Sequence, residues 1–263
     1  MTRLSTENGL KRTLDAGDVA FGVFDGLYSP TTVELYGEFG FDFVWLDLEH
    51  AGPSPLDAPT VESLLRAADA VGMELLVRLP STDPWMVRKA LDAGVRTAFV
   101  SRVETAQETR RVVEAARFTY DDEPGQRGLA APRASRWGRV DDYPATEDRE
   151  TLLGVTVESL RAVEHIDDIL AVPDLGFVFV GPLDLSVSTG HPGEIDHPDV
   201  QAAVETIRDS CLDHGVPLGN LTFGMEDVHR KVDEGYQLLN VGSTTAALEE
   251  TLGGWHEAYR GEG

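Results

Sequence analysis

Short apolar runs rich in Val, Phe and Leu recur along this chain, and between them lie stretches whose apolar residues repeat at helical spacing. Strands that alternate with helices in this way point to a parallel sheet with crossover helices rather than to hairpins. Eight such runs are legible, at 19–24, 43–47, 74–78, 97–100, 153–157, 176–180, 217–220 and 238–241. Eight favours a closed (β/α)8 TIM barrel, an α/β fold, with residues 1–263 as a single domain and residues 1–8 as a polar N-terminal extension. A chain of 263 residues with 41% apolar content is long enough to fill one such core.

The intervening helices carry their own punctuation. Asp83-Pro84 offers an N-cap followed by proline at the first helical position, and Gly94 stands where a C-terminal glycine belongs. Thr105 and Glu108 have the spacing of a capping box, and Pro198 opens a helix that stops at Gly215. The stretch 118–150, rich in Gly, Pro, Arg and Asp, is longer than an ordinary connection. It is expected to be a functional loop, touching either the active rim or a neighbouring subunit, with a plain surface excursion as the alternative.

Charge narrows the choice of partners. A formal net charge of −24, spread through the chain, would repel nucleic acid and anionic membranes, so neither is expected as a partner, and it gives the surface a salt-adapted character. No apolar run reaches the roughly 18 residues of a membrane span, and Met1 to Asn8 lacks a secretory core. With Cys211 as the sole cysteine, no disulfide can form within one chain, which suits a cytoplasmic enzyme.

Several runs end in an ionisable residue, and in a parallel barrel the C-terminal strand ends carry the chemistry. Glu158 follows Val-Thr-Val and Asp184 follows Phe-Val-Phe-Val-Gly-Pro-Leu. Buried carboxylates need a cation, a proton or donors, and an oxygen-only set suits a hard divalent ion; pairing with Arg78 or Arg102 is the alternative. The Gly181-Pro182-Leu183-Asp184 turn leaves backbone N–H groups to face an anion, such as a substrate carboxylate. His50 lies three residues beyond Asp47, and a carboxylate beside an imidazole makes a general acid/base; a loop-capping histidine is the plainer reading. Arg78 ends Leu-Leu-Val-Arg and must find an anion, either a substrate oxygen or a structural carboxylate. The histidines at 165, 191, 197, 214, 229 and 256 read as helix-surface or loop residues. None of Lys11, Lys89 and Lys231 stands at a strand end, so a Schiff-base nucleophile is missing.

Six ordered motifs give these residues a family. They are Gly-Phe-Asp-Phe-Val-Trp-Leu-Asp-Leu-Glu-His at 40–50, Val-Arg-Leu-Pro at 77–80, Gly-Gln-Arg-Gly-Leu with Ala-Ser-Arg-Trp-Gly-Arg-Val within 125–140, Val-Thr-Val-Glu at 155–158 and Val-Gly-Pro-Leu-Asp-Leu-Ser at 180–186. From about Leu10 to Leu248 the chain resembles the HpcH/HpaI aldolases, metal-dependent (class II) pyruvate aldolases. The resemblance implies that Glu158 and Asp184 bind a divalent metal (Mg²⁺ or Mn²⁺, with Co²⁺ as a further option), which pyruvate chelates. It implies that amides from Gly181 through Pro182 and Leu183 to Asp184 hold the substrate carboxylate, with Thr156 near the metal. Arg78 would steady the enolate oxygen, and the Asp47–His50 pair would move protons. The implied reaction is reversible cleavage of a 4-hydroxy-2-oxo acid, such as a 2-keto-3-deoxy sugar acid or related diacid, into pyruvate and an aldehyde. The family also implies a homo-oligomer, a trimer of dimers, with the last helix on a neighbouring subunit; Ala247, Leu248, Leu252 and Trp255 fit that contact or packing on the home barrel.

Three positions depart from the family pattern. Thr156 stands where glutamine is frequent, Leu183 replaces a smaller alanine, and Arg102 occupies a common methionine position. Arg102 either recruits an acidic aldehyde or neutralises Glu104. Two rival functions remain: an acyl-CoA lyase of the citrate-lyase β-subunit type, for which only Arg110, Arg111 and Arg117 gather positive charge, and a non-catalytic sugar-acid binder.

Overall fold

The computed structural model describes residues 7–261. Strands β1 (Ala20–Phe24), β2 (Phe43–Asp47), β3 (Glu74–Leu79), β4 (Thr97–Val100), β7 (Leu152–Val157), β8 (Phe177–Val180), β9 (Leu218–Leu221) and β10 (Leu238–Ser243) close into a barrel. Every pairing around it is parallel, and β1 closes the ring against β10. A short antiparallel pair, β5 (Thr119–Tyr120) with β6 (Glu123–Pro124), lies outside the barrel. The expected eight-stranded (β/α)8 fold is therefore the fold of the chain, with strand ends shifted by a residue or two.

Strand alternation sorts the core into two clusters. Val44, Leu46, Leu75, Val77, Val155 and Val178 pack outward under the helices, while Phe43, Trp45, Leu76, Phe99, Phe177 and Phe179 fill the lumen. Trp45 sits edge-on to Phe99 and Phe179, at centroid distances of 5.4 and 5.2 Å. Glycine makes room for these rings. A Cβ on Gly22 would lie 2.3 Å from Phe43, and one on Gly154 or Gly219 would lie 2.6 Å from Phe177 or Phe179.

The N-terminal end of the barrel is plugged by the helix Gly9–Asp15, whose Leu10 and Leu14 join the lumen cluster. Asn8 caps this helix and is fully buried, its side-chain amide donating to Thr97 Oγ1 and to the Glu150 carbonyl at 2.9 and 3.0 Å. Asn8 thus belongs to the barrel floor and not to a polar extension; residues 1–6 lie outside the described residues.

Helix caps fall where the sequence places them. Gly94 and Gly215 end their helices in the left-handed region, at φ 110° and 67°, and Thr105 accepts the Glu108 N–H at 3.3 Å. The Glu108 side chain reaches one residue further back than a standard capping box, accepting from Glu104 N at 2.9 Å.

The stretch 118–150 corrects an expectation. It contains the β5–β6 pair and a helix at Tyr143–Glu150, and it packs on the barrel floor, away from the active rim. Arg133 donates to Asp69 at 2.8 Å and Ala134 N to the Asp92 carbonyl at 3.3 Å, both near helix C-termini. Arg96 and Arg127 converge on the buried Glu147 at 2.7 and 3.2 Å. The reason is topological: a helix-to-strand connection in a parallel barrel starts and ends at the N-terminal face of the sheet. No helix among the described residues is long and apolar enough to cross a membrane.

Candidate active site

At the opposite end, the parity that buries Phe43 and Trp45 carries Asp47 and then Glu49 to the rim. The same rule brings Arg78 up from β3, Ser101 from β4, Thr156 and Glu158 from β7, and Gly181 from β8. Asp47 and Arg78 are register partners in the β2–β3 ladder. Arg78 donates from Nε and Nη2 to the two Asp47 oxygens at 2.7 and 2.5 Å, with its guanidinium carbon 5.1 Å from the Trp45 ring centroid. Burial opposes the charge on Arg78, but the hydrogen bonds and charge of Asp47, joined by Glu49 and Glu158, hold its pKa above the ordinary value.

Asp47 does not pair with the His50 imidazole, contrary to expectation. Its carboxylate accepts the backbone N–H groups of Glu49 and His50 at 2.9 and 3.3 Å, an Asx-type turn that ends the strand. The carboxylate near the imidazole is Glu49, with Oε2 3.7 Å from His50 Nε2. Glu49 is a residue that the motif-by-motif reading passed over, although its place two residues beyond Asp47 put it on the same side of the strand. Its Oε2 accepts from Ser101 Oγ at 2.6 Å and lies 3.5 Å from Arg78 Nε, and its Oε1 accepts from Arg102 Nε at 3.1 Å.

Glu158 is buried, and Oε1 accepts the Arg102 N–H at 2.7 Å. Burial, reinforced by the charges of Asp184 and Glu49, pushes its pKa up to about 7, although the Arg102 N–H and Arg78 pull the other way. A Cβ on Gly181 would lie 2.7 Å from Glu158 Cβ and 2.9 Å from Oε2, so only glycine leaves that carboxylate its place. Thr156 Oγ1 is buried with no hydrogen-bond partner among the described residues. The Glu158 carboxylate, the charge of Asp184 near it, the partnerless Thr156 hydroxyl and the Cβ-free Gly181 are the oxygen-bearing groups and the space that this part of the rim offers.

The turn after β8 supplies fewer donors than its sequence suggests. Gly181 N is committed to the Val157 carbonyl at 3.1 Å, and Pro182 has no N–H and is buried. That leaves the N–H groups of Leu183 and Asp184, in the first turn of the helix Pro182–Ser188. The Leu183 side chain is exposed.

A second cluster lies between the helices Pro182–Ser188 and Pro198–His214. His191 Nε2 is 3.1 Å from Asp199 Oδ2 and stacks on His197 at 3.3 Å between centroids. His197 Nδ1 already accepts the Asp199 N–H at 3.2 Å, an N-cap for the helix Pro198–His214.

The family model for HpcH/HpaI aldolase/citrate lyase matches residues 20–250. A hydroxypyruvate/pyruvate aldolase from Roseobacter denitrificans is 33% identical over 93% of this chain and 94% of its own length. A 5-keto-4-deoxy-D-glucarate aldolase from Salmonella newport is 34% identical over 92% of both chains. The crystal structure of a HpcH/HpaI aldolase/citrate lyase family protein from Burkholderia cenocepacia superposes with a TM-score of 0.90, at 34% identity over 96% of this chain and 99% of that one. The family model and these relatives make the chain an enzyme of the aldolase and lyase class. The chain belongs to the HpcH/HpaI aldolase/citrate lyase family.

Proposed function

We propose that this protein is a divalent-metal-dependent aldolase that reversibly cleaves a 4-hydroxy-2-oxo acid, a 2-keto-3-deoxy sugar acid or related diacid, into pyruvate and an aldehyde. The observation that carries the reading is Glu158: a buried carboxylate with its pKa pushed up to about 7, cradled by Gly181 and near Asp184. Glu158 and Asp184 hold the cation, which is Mg²⁺ or Mn²⁺ by the hardness of their oxygens, with Co²⁺ as a third candidate. When bound, such an ion polarises a 2-oxo carbonyl, so that the electron pair of the C3–C4 bond can be accommodated as that bond breaks.

The chain's own groups supply the rest. Arg78, fixed by Asp47, aims its charge at the C2 oxygen as negative charge develops there. The Thr156 hydroxyl, lacking a partner among the described residues, orients the substrate, and the Leu183 and Asp184 N–H groups meet its carboxylate. His50 Nε2 takes the proton of the C4 hydroxyl as the aldehyde forms and returns one toward C3, with Glu49 beside it to stabilise the imidazolium. Lysine chemistry finds no support: Lys231 is engaged by the Leu221 carbonyl and Asp227, and Lys11 by Asp15.

The reading extends to assembly and location. Leu248, Leu252, Trp255 and Tyr259 form an exposed apolar stripe along the final helical segment, suited to a second copy in a dimer and, through dimers, a hexamer. The even acidic charge fits a cytoplasmic, salt-adapted enzyme of small-molecule metabolism without nucleic acid or membrane partners. The test is pyruvate release from a panel of 2-keto-3-deoxy sugar acids and 4-hydroxy-2-oxo diacids in high salt, with Mg²⁺ or Mn²⁺ and with EDTA. EDTA-sensitive release is expected; no release from any member overturns the reading.

A further inference from the structure

Arg102 is a rim residue whose geometry the aldolase reading leaves unused. Its backbone is held in the left-handed region, φ 61°, which is unfavourable for a non-glycine residue. That conformation points the Arg102 N–H at Glu158 and sends the side chain out over the mouth of the barrel. Glu49 then anchors the guanidinium by Nε alone, at 3.1 Å. Nη1 and Nη2 make no hydrogen bond among the described residues, and the side chain is 67% exposed. The partner suggested by sequence proximity is engaged elsewhere: Glu104 takes Arg161 at 3.3 Å and the Ser159 hydroxyl at 3.1 Å.

Neutralising Glu49 does not explain this arrangement, because Glu49 already has Ser101 and Arg78 beside it. The two rim arginines are differently disposed. Arg78 is gripped on both oxygens of Asp47 and is 14% exposed, whereas Arg102 keeps an open edge of two N–H-bearing nitrogens, the fork that matches a carboxylate. In a chain of net charge −24, an anionic substrate tail is repelled at long range and needs such a local cation to enter.

We infer that Arg102 is a specificity-determining residue that binds a carboxylate on the aldehyde half of the substrate, so that the preferred substrates are 4-hydroxy-2-oxo diacids. The inference rests on the aldolase reading above. It divides the labour at the rim: the Glu158, Asp184 and Arg78 side holds the half that becomes pyruvate, and Arg102 holds the far end of the half that becomes the aldehyde.

The experiment compares 4-hydroxy-2-oxohexanedioate with 4-hydroxy-2-oxohexanoate, which differ in the terminal carboxylate, as substrates of wild type, R102M and R102K. For R102M the ratio of kcat/KM, diacid over monoacid, is expected to fall about tenfold or more, mainly through KM, with R102K between the two. Melting temperatures of the variants establish that the fold is intact, as expected for an exposed side chain. Equal changes on both substrates, or none on either, overturn the inference and leave Arg102 as a partner of Glu49. EDTA-sensitive pyruvate release by wild type from 2-keto-3-deoxy sugar acids but from neither of these substrates overturns the inference alone; no release from these or from the sugar acids is instead the failure of the aldolase reading, and the inference falls with it.

Discussion

Arg78 and Asp47 face each other across adjacent parallel strands and pair through both carboxylate oxygens, at 2.7 and 2.5 Å, beneath the mouth of the barrel. Asp47 has a second duty, accepting the N–H groups that turn the chain toward Glu49 and His50. It therefore fixes the arginine and the loop together.

Asp47→Asn keeps the shape but removes the charge. Breaking a buried pair from one side costs about 3–5 kcal/mol, so a clear fall in melting temperature is expected. Turnover should fall by about 100-fold or more as Arg78 loses its orientation. Near-wild-type stability in D47N, measured by thermal unfolding, would show that the pair is not holding the rim.

Glu158 makes stability depend on pH when no metal is bound. A carboxyl whose pKa rises to about 7 on folding, from an ordinary 4.5, stabilises the fold fully below about 4.5, and that contribution is lost as pH rises through 7. Glu158→Gln never takes the charge. In EDTA, E158Q should gain on wild type between pH 5 and 8, reaching on the order of 2 kcal/mol. The same variant should lose metal-dependent turnover. A melting-temperature difference that does not change with pH counts against a strained, uncompensated carboxylate.

Gly181 has φ −100°, which any residue adopts, so the effect of Gly181→Ala is purely steric. The new methyl lands 2.9 Å from Glu158 Oε2 and must displace it. Metal affinity by calorimetry should weaken about tenfold or more, and because the same methyl lies 2.7 Å from Glu158 Cβ, the melting temperature in EDTA should fall as well. Unaltered affinity would place the cation elsewhere.

Leu248, Leu252, Trp255 and Tyr259 stand exposed along the final helical segment, and an exposed apolar patch of this kind marks an interaction site. Leu252→Ser with Trp255→Ser should convert an oligomer to smaller species in sedimentation velocity. A monomeric wild type sinks the idea.

Much of this molecule is legible one element at a time. The eight strands, the glycine caps at Gly94 and Gly215 and the rim positions of Asp47, Arg78 and Glu158 follow from period, parity and burial, which are properties of a single segment. Glu49 was within reach of the same parity rule. The fate of 118–150 was also within reach, since both its ends lie at the N-terminal face of the sheet.

What only the tertiary structure decided are relationships between segments. The spacing pairs Asp47 with His50, but the turn spends the Asp47 carboxylate on backbone N–H groups and leaves Glu49 beside the imidazole. Sequence puts Glu104 near Arg102, but a left-handed residue swings that side chain to Glu49 in the turn beyond β2. Spacing cannot show that Gly181 gives Glu158 its room, or that Thr156 is left without a partner. Local sequence fixes which face of a strand a side chain takes; the stagger of neighbouring strands and the backbone of the loops fix which side chains then meet.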